Sequence, residues 1–120
     1  MTDRALKLAE TLFDALERGD RDRVRDLYAA DIVVWHNFDG IEQDRDANLK
    51  VLDWMISTLE GIRYEILRRE PLADGFLQQH VLHGRMPDGR TLAIPACIVA
   101  RVRDGQITRI DEYLDPSPLA

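Results

Sequence analysis

Along residues 4–18 apolar side chains recur three and four positions apart, at Ala5, Leu8, Ala9, Leu12, Phe13, Ala15 and Leu16. That spacing gathers them on one side of a helix, and Gly19 supplies the residue type on which helices end. Asp20 caps a short second helix, with Val24, Leu27 and Tyr28 as its buried stripe, running to Ala30. The period then drops to two. DIVVWHNF, residues 31–38, is β-branched and aromatic; its alternation puts Ile32, Val34 and His36 on one face and Val33, Trp35 and Asn37 on the other. DGIEQD has loop composition. From Asp44 to Leu59 helical spacing returns through Ala47, Val51, Leu52, Trp54, Met55, Ile56 and Leu59, with Gly61 closing it.

Beyond Gly61 the chain alternates again. Ile62, Tyr64 and Ile66 interleave with Arg63 and Glu65, Pro71 to Gly75 reads as a turn, and Phe76 to Met86 forms a second strand ending at PDG. RTLAIPACIVARVR and QITRIDEYLD follow, joined by Asp104-Gly105, a strong hairpin signal. Successive strands predict an antiparallel meander, and helices followed by strands predict an α+β fold in which a curved sheet wraps its helices. In the penultimate strand Ile94, Ala96, Ile98, Ala100 and Val102 make the apolar side, while Cys97 and Val99 share the other with Arg101 and Arg103. In the last strand the matching inner set is Ile110, Glu112 and Leu114, with Arg109, Asp111 and Tyr113 outward. A one-residue bulge would exchange these sets, and Pro95 is the position that could mark one. The pattern thus places a carboxylate between two core residues.

Composition narrows what that carboxylate serves. At 120 residues and 45% hydrophobic, the chain fits one domain spanning 1–120. It has no internal repeat or linker, and only the PSPLA tail reads as loose. A net charge of -6 works against a nucleic-acid partner, whose phosphates call for Lys and Arg. No apolar run reaches membrane-spanning length, and the charged first twenty residues lack a signal peptide's apolar centre, so a soluble, cytoplasmic protein with no membrane partner is expected. A single cysteine, Cys97, cannot form an internal disulfide, and in this register it lies on the outer face away from any histidine of its strand. There is no phosphate-cradling glycine loop, no Ser-His-Asp signature and no HExxH. His80 and His83 in HVLH are three apart in a strand and face opposite ways, so a shared metal is not expected, nor is a cofactor.

What remains is acid-base chemistry. A carboxylate walled by Ile110, Leu114 and the aliphatic sheet loses hydration, which disfavours its charged form and suits it to exchange protons at working pH. His36, on the inner face with Val34, is the natural partner for Glu112. The bland alternatives are a solvated Glu112 paired with an arginine such as Arg85, and a core His36 satisfied by a backbone carbonyl. Trp35, Phe38, Trp54 and Met55 read as core residues, or as pocket walls if the helix at 44–59 lids a pocket.

ALERGD, DIVVWHNFDG and above all GRTLAIPACIVARVRDGQITRIDEYLD resemble the superfamily of nuclear transport factor 2 (NTF2-like), ketosteroid isomerase, limonene epoxide hydrolase and the SnoaL polyketide cyclases. The resemblance covers nearly the whole chain. It implies a cone-shaped α+β barrel with an apolar pocket between sheet and helices, and it spans enzymes, carriers and interaction modules. In the isomerase-like pattern the base falls at His36, but the oxyanion donors fall at Leu12 and Ile98, which cannot donate. In the epoxide-hydrolase-like pattern the Asp-Arg-Asp set falls at Val81, Gln79 and Glu112, leaving one acid. The cyclase-like pattern, one acid with His or Asn groups near it, fits best through Glu112, His36 and Gln79.

The expectation is therefore a cofactor-free enzyme acting on a small apolar or amphipathic molecule by isomerisation, cyclisation, dehydration or epoxide opening. Glu112 and His36 are its catalytic pair, and Gln79, Val34, Trp54, Phe38, Ile98 and Ile110 its ligand contacts. The alternative is a non-catalytic carrier or dimeric interaction module on the same fold. Cys97, Val99, Ile107 and Tyr113 make a mixed apolar outer face, which predicts a sheet-to-sheet homodimer, as the resemblance also implies.

Overall fold

Two helices begin at a capping aspartate, and the chain's first helix ends at a glycine. The computed structural model describes residues 2–120, with side chains from residue 4 onward. Helix α1 (Thr2–Arg18) stops at Gly19, whose φ of +69° is the left-handed conformation that a Cβ would oppose. Asp20 then caps α2 (Arg21–Leu27), its side chain accepting from the Arg23 amide at 3.1 Å. Asp44 does the same for α3 (Arg45–Thr58) through the Ala47 amide at 2.9 Å. The short second helix ends earlier than its stripe predicts: Tyr28 is already extended and opens β1 (Tyr28–His36). The loop DGIEQD contains a two-residue strand, β2 (Glu42–Gln43), paired with Val34 and Trp35.

Strands β3 (Glu60–Leu72), β4 (Gly75–Arg85), β5 (Thr91–Arg103) and β6 (Gln106–Leu114) form the predicted antiparallel meander. The full order is β2-β1-β6-β5-β4-β3, in a curved sheet that does not close. Only β1 and β6 run parallel, which brings the first strand of the chain against the last. The three helices with this six-stranded sheet make the NTF2-like α+β fold.

Two of the sheet's register shifts bear on which residues of the site face inward. The β4–β5 register runs unbroken from Gly75–Arg101 to Arg85–Thr91, so Pro95 marks no bulge. One bulge lies instead between Arg101 and Val102, opposite an extra residue in β6, so Ile107 pairs with Val102 and is fully buried. This corrects the assignment of Ile107 to the outer face; Ile110, Glu112 and Leu114, beyond the bulge, still pair with inner Ala100, Ile98 and Ala96. The second bulge lies in β3 between Ile66 and Arg68 and turns Arg69 to the same side as its partner Gln78. Against the inner face pack Leu12 and Leu16 of α1, each stabilising the fold by roughly 1.5–3 kcal/mol through burial. The PSPLA tail is ordered: Ser117–Leu119 makes a 3-10 turn, Leu119 packs on the core, and Arg90 donates to the Pro118 and Ala120 carbonyls at 3.4 and 3.1 Å.

Candidate active site

Between α1, α3 and the inner sheet face lies a cavity of about 150 Å³. Leu12, Leu16, Val34, Ile94, Ile98 and Ile110 supply much of its wall. Phe38 and Val51 line it and are themselves exposed, which marks where it meets solvent. Three polar groupings, held by the sheet and α3, reach this apolar surround.

The first joins the ends of β1 and β6. His36 and Glu112 are register partners in the parallel pair, and their side chains meet with Nε2 3.0 Å from Oε1. The strand ends are clamped beside them: the Asn37 amide donates to the Glu112 carbonyl at 3.1 Å, and Asn37 Oδ1 accepts from the Leu114 amide at 2.9 Å. His36 is buried, and its Nδ1 has no partner among the described residues. An unpaired bare nitrogen is the less costly way to bury that atom, since an unpaired N–H of an imidazolium would add charge to the loss. The arrangement therefore suits a His36 that donates through Nε2 to Glu112 Oε1, leaving the other carboxylate oxygen available. Arg85, the alternative partner for Glu112, instead donates to Glu60 at 2.6 Å.

The second grouping comes from β4 and β3. Arg69 Nε donates to Gln78 Oε1 at 2.7 Å, and Gln78 Nε2 lies 2.8 Å from His80 Nδ1. Gln78 and His80 are almost wholly buried, and His80 lines the cavity. Burial holds the His80 imidazole below its ordinary pKa, the Glu112 charge opposing and the Arg69 charge reinforcing that shift.

In the third, Tyr28 donates to Asn48 Oδ1 at 2.9 Å while Asn48 Nδ2 donates to Gln43 Oε1 at 3.0 Å. Burial raises the Tyr28 phenol well above its usual range, with Glu112's negative charge adding to the effect. Tyr64, also on the wall, is raised by burial first and then by Glu112, Tyr28 and Glu17. Both phenols stay neutral donors.

Of the residues singled out from sequence, Glu112, His36, Val34, Phe38, Ile98 and Ile110 all line the cavity. Gln79 and Trp54 do not. Gln79 is exposed on the outer face, because in β4 the buried Phe76 and Leu82 carry Gln78 and His80 inward with them. Trp54 is 45% exposed: α3 presents Asn48, Val51, Leu52 and Met55 to the cavity, and Trp54 lies off that stripe. His80, Tyr64, Tyr28 and Asn48 are the polar wall residues that sequence reasoning passed over. The alternation Phe76, Gln78, His80, Leu82 was the signal that could have found the β4 pair. His80 and His83 do point to opposite faces, His83 bonding Glu65 at 2.8 Å. Among the described residues there is no cluster of His, Cys, Asp and Glu able to hold a metal ion, and no helix is long and apolar enough to cross a membrane.

Solved structures share this architecture. A candidate polyketide cyclase from Xanthomonas campestris pv. campestris is 26% identical, covering 98% of this chain and 94% of its own, with a TM-score of 0.82. An LEH-like epoxide hydrolase from M. tuberculosis is 22% identical over 96% and 85%, with a TM-score of 0.80. AclR from Streptomyces galilaeus, a candidate hydroxylase, is 14% identical over 99% and 94%, with a TM-score of 0.88. No curated protein sequence matches significantly. The SnoaL-like domain model matches residues 9–110, far more than half of the sequence, and the chain belongs to the SnoaL-like domain family.

Proposed function

We propose that this protein is an enzyme that moves a proton on a small, mostly apolar molecule held in the cavity, with Glu112 as general base and acid. His36 is the donor that positions it. The observation that carries this reading is the 3.0 Å contact between His36 Nε2 and Glu112 Oε1 in a wall otherwise largely apolar. One carboxylate oxygen is held by His36, leaving the other to meet a ligand proton. When that oxygen takes the proton, the ligand's bond to hydrogen breaks, its electron pair stays on the ligand, and the proton waits on Glu112 until it is returned at another atom. Isomerisation, cyclisation, dehydration and epoxide opening are reactions that a single acid-base carboxylate serves, and the cyclase and epoxide hydrolase among the similar structures support that range.

The test is Glu112→Gln, which keeps shape and removes the proton carrier, assayed on a panel of small ketones and epoxides. Turnover falls by about 10²–10⁴ while ligand affinity stays within a few-fold. Equal loss of affinity and turnover, or no turnover by the wild type on any member, returns the protein to the carrier reading, which the apolar wall also suits.

We also infer a homodimer through the outer sheet face. Tyr113 is 48% exposed there and meets Trp35 edge-on at 5.3 Å, beside half-buried Cys97 and Val99. Sedimentation at micromolar concentration reads a dimer, and Tyr113→Glu a monomer; a monomeric wild type overturns it.

A further inference from the structure

The chain from Arg69 through Gln78 to His80 has a direction that chemistry alone fixes. A guanidinium can only donate, so the Gln78 atom 2.7 Å from Arg69 Nε is the carbonyl oxygen. The other end of that amide is then its NH₂, which can only donate, so the ring nitrogen 2.8 Å away, His80 Nδ1, must accept. A neutral imidazole with an accepting Nδ1 carries its hydrogen on Nε2. Protonating Nδ1 would set two donors face to face in a site nearly closed to water, so the neutral ring is the stable one.

His80 lines the cavity, Tyr64 packs edge-on against its ring at 5.0 Å and Phe13 tilts against it at 5.2 Å. The ring is thus locked in place as well as in tautomer. Its Nε2 is bonded to none of the described residues. We propose that Arg69, at the rim of the sheet, is a positioning residue that sets His80 as a fixed, uncharged Nε2–H donor for an acceptor oxygen of the ligand. The bulge between Ile66 and Arg68 is what turns Arg69 to the inner side where it can reach Gln78.

The consequence for the ligand is a polarity. Glu112 offers an acceptor and His80 a donor within one apolar cavity, so the ligand that fits carries an uncharged acceptor oxygen and, apart from it, a hydrogen for Glu112. The donor is neutral and Glu112 lines the same cavity, so an anionic ligand is disfavoured. This assignment uses the cavity of the proposed enzyme and adds the orientation of its ligand.

The test reads tautomer directly, by long-range ¹H–¹⁵N NMR of the histidine rings. In the wild type His80 shows only the Nε2–H form. Arg69→Met frees the Gln78 amide to turn over, and a mixture of tautomers appears. Gln78→Glu replaces the donor by an acceptor, and His80 switches to Nδ1–H. Cyclohexanone serves as the ligand probe: its carbonyl stretch falls on binding to the wild type, and in Gln78→Glu that shift is lost with about tenfold weaker binding, the worth of one hydrogen bond. A wild-type His80 in the Nδ1–H form, a tautomer indifferent to Arg69→Met, or an unshifted or unbound ketone overturns the assignment. None of these readouts needs turnover, so they stand if Glu112→Gln shows the protein to be a carrier. Conversely, loss of the His80 tautomer leaves the role of Glu112 untouched.

Discussion

Two buried histidines face one cavity and are wired in opposite senses. His36 meets a carboxylate, so it donates through Nε2 and leaves Nδ1 buried without a partner among the described residues. His80 meets an amide NH₂, so it accepts through Nδ1 and keeps the hydrogen on the nitrogen that is free for a ligand. The residue type is the same and the neighbour decides the polarity. A pocket can therefore acquire a base-holding group and an electrophilic group from two copies of the amphoteric side chain, provided each is tied to a partner that has no choice of role.

The sharpest way to break this comparison is to remove each partner network in turn. Gln78→Leu strands His80 Nδ1 in a closed site and takes away the partner of Arg69 at the rim, and urea unfolding should show a loss of about 1–3 kcal/mol. His36→Leu should cost about 1 kcal/mol or less, because Glu112 is partly open to water and the unpaired Nδ1 disappears with the ring. Equal losses in the two variants would erase the distinction. Acid sharpens it further. Since folding lowers the His80 pKa, its neutral ring contributes stability that is complete above the unfolded value of about 6.5 and is lost as pH falls through the folded value. Unfolding measured between pH 7.5 and 5 should therefore steepen more in the wild type than in His80→Phe; parallel curves would refute the link. The smallest effect belongs to the third histidine. His83 bonds Glu65 on the exposed side, so Glu65→Gln should change stability by no more than about 0.5 kcal/mol.

The pair at His36 and Glu112 was legible because both residues sit in strands whose apolar neighbours keep a strict period of two up to the site. Val34 fixes the face of His36, and Ile110 and Leu114 fix that of Glu112. The β4 grouping was equally periodic, but the likeness to epoxide hydrolases drew attention to Gln79, whose face Phe76 and Leu82 exclude. Trp54 misled for a different reason: an amphipathic stripe read from many apolar residues blurs which edge is buried, and bulk says nothing of phase. The bulges were not legible at all. They arise from how two strands are paired, and neither Leu67 nor the extra residue in β6 differs in type from an ordinary strand residue.

A strand has a reading frame of two, inside and outside, and the bulge before Arg68 is a frameshift in it. Upstream, even-numbered residues such as Ile62 and Tyr64 are read inward; downstream, Arg69 is. Deleting Leu67 would remove the extra residue and leave Arg69 opposite Gln78, but pairing the full-length strand without the bulge would restore the upstream frame, exposing Arg69 to solvent and swinging Arg68 and Glu70 toward the cavity side. The identity of every wall residue would be unchanged, yet the His80 donor would lose its reference point. Backbone pairing at an edge strand is therefore a variable of this pocket in its own right, able to rewrite the chemistry of the site without a single substitution in it.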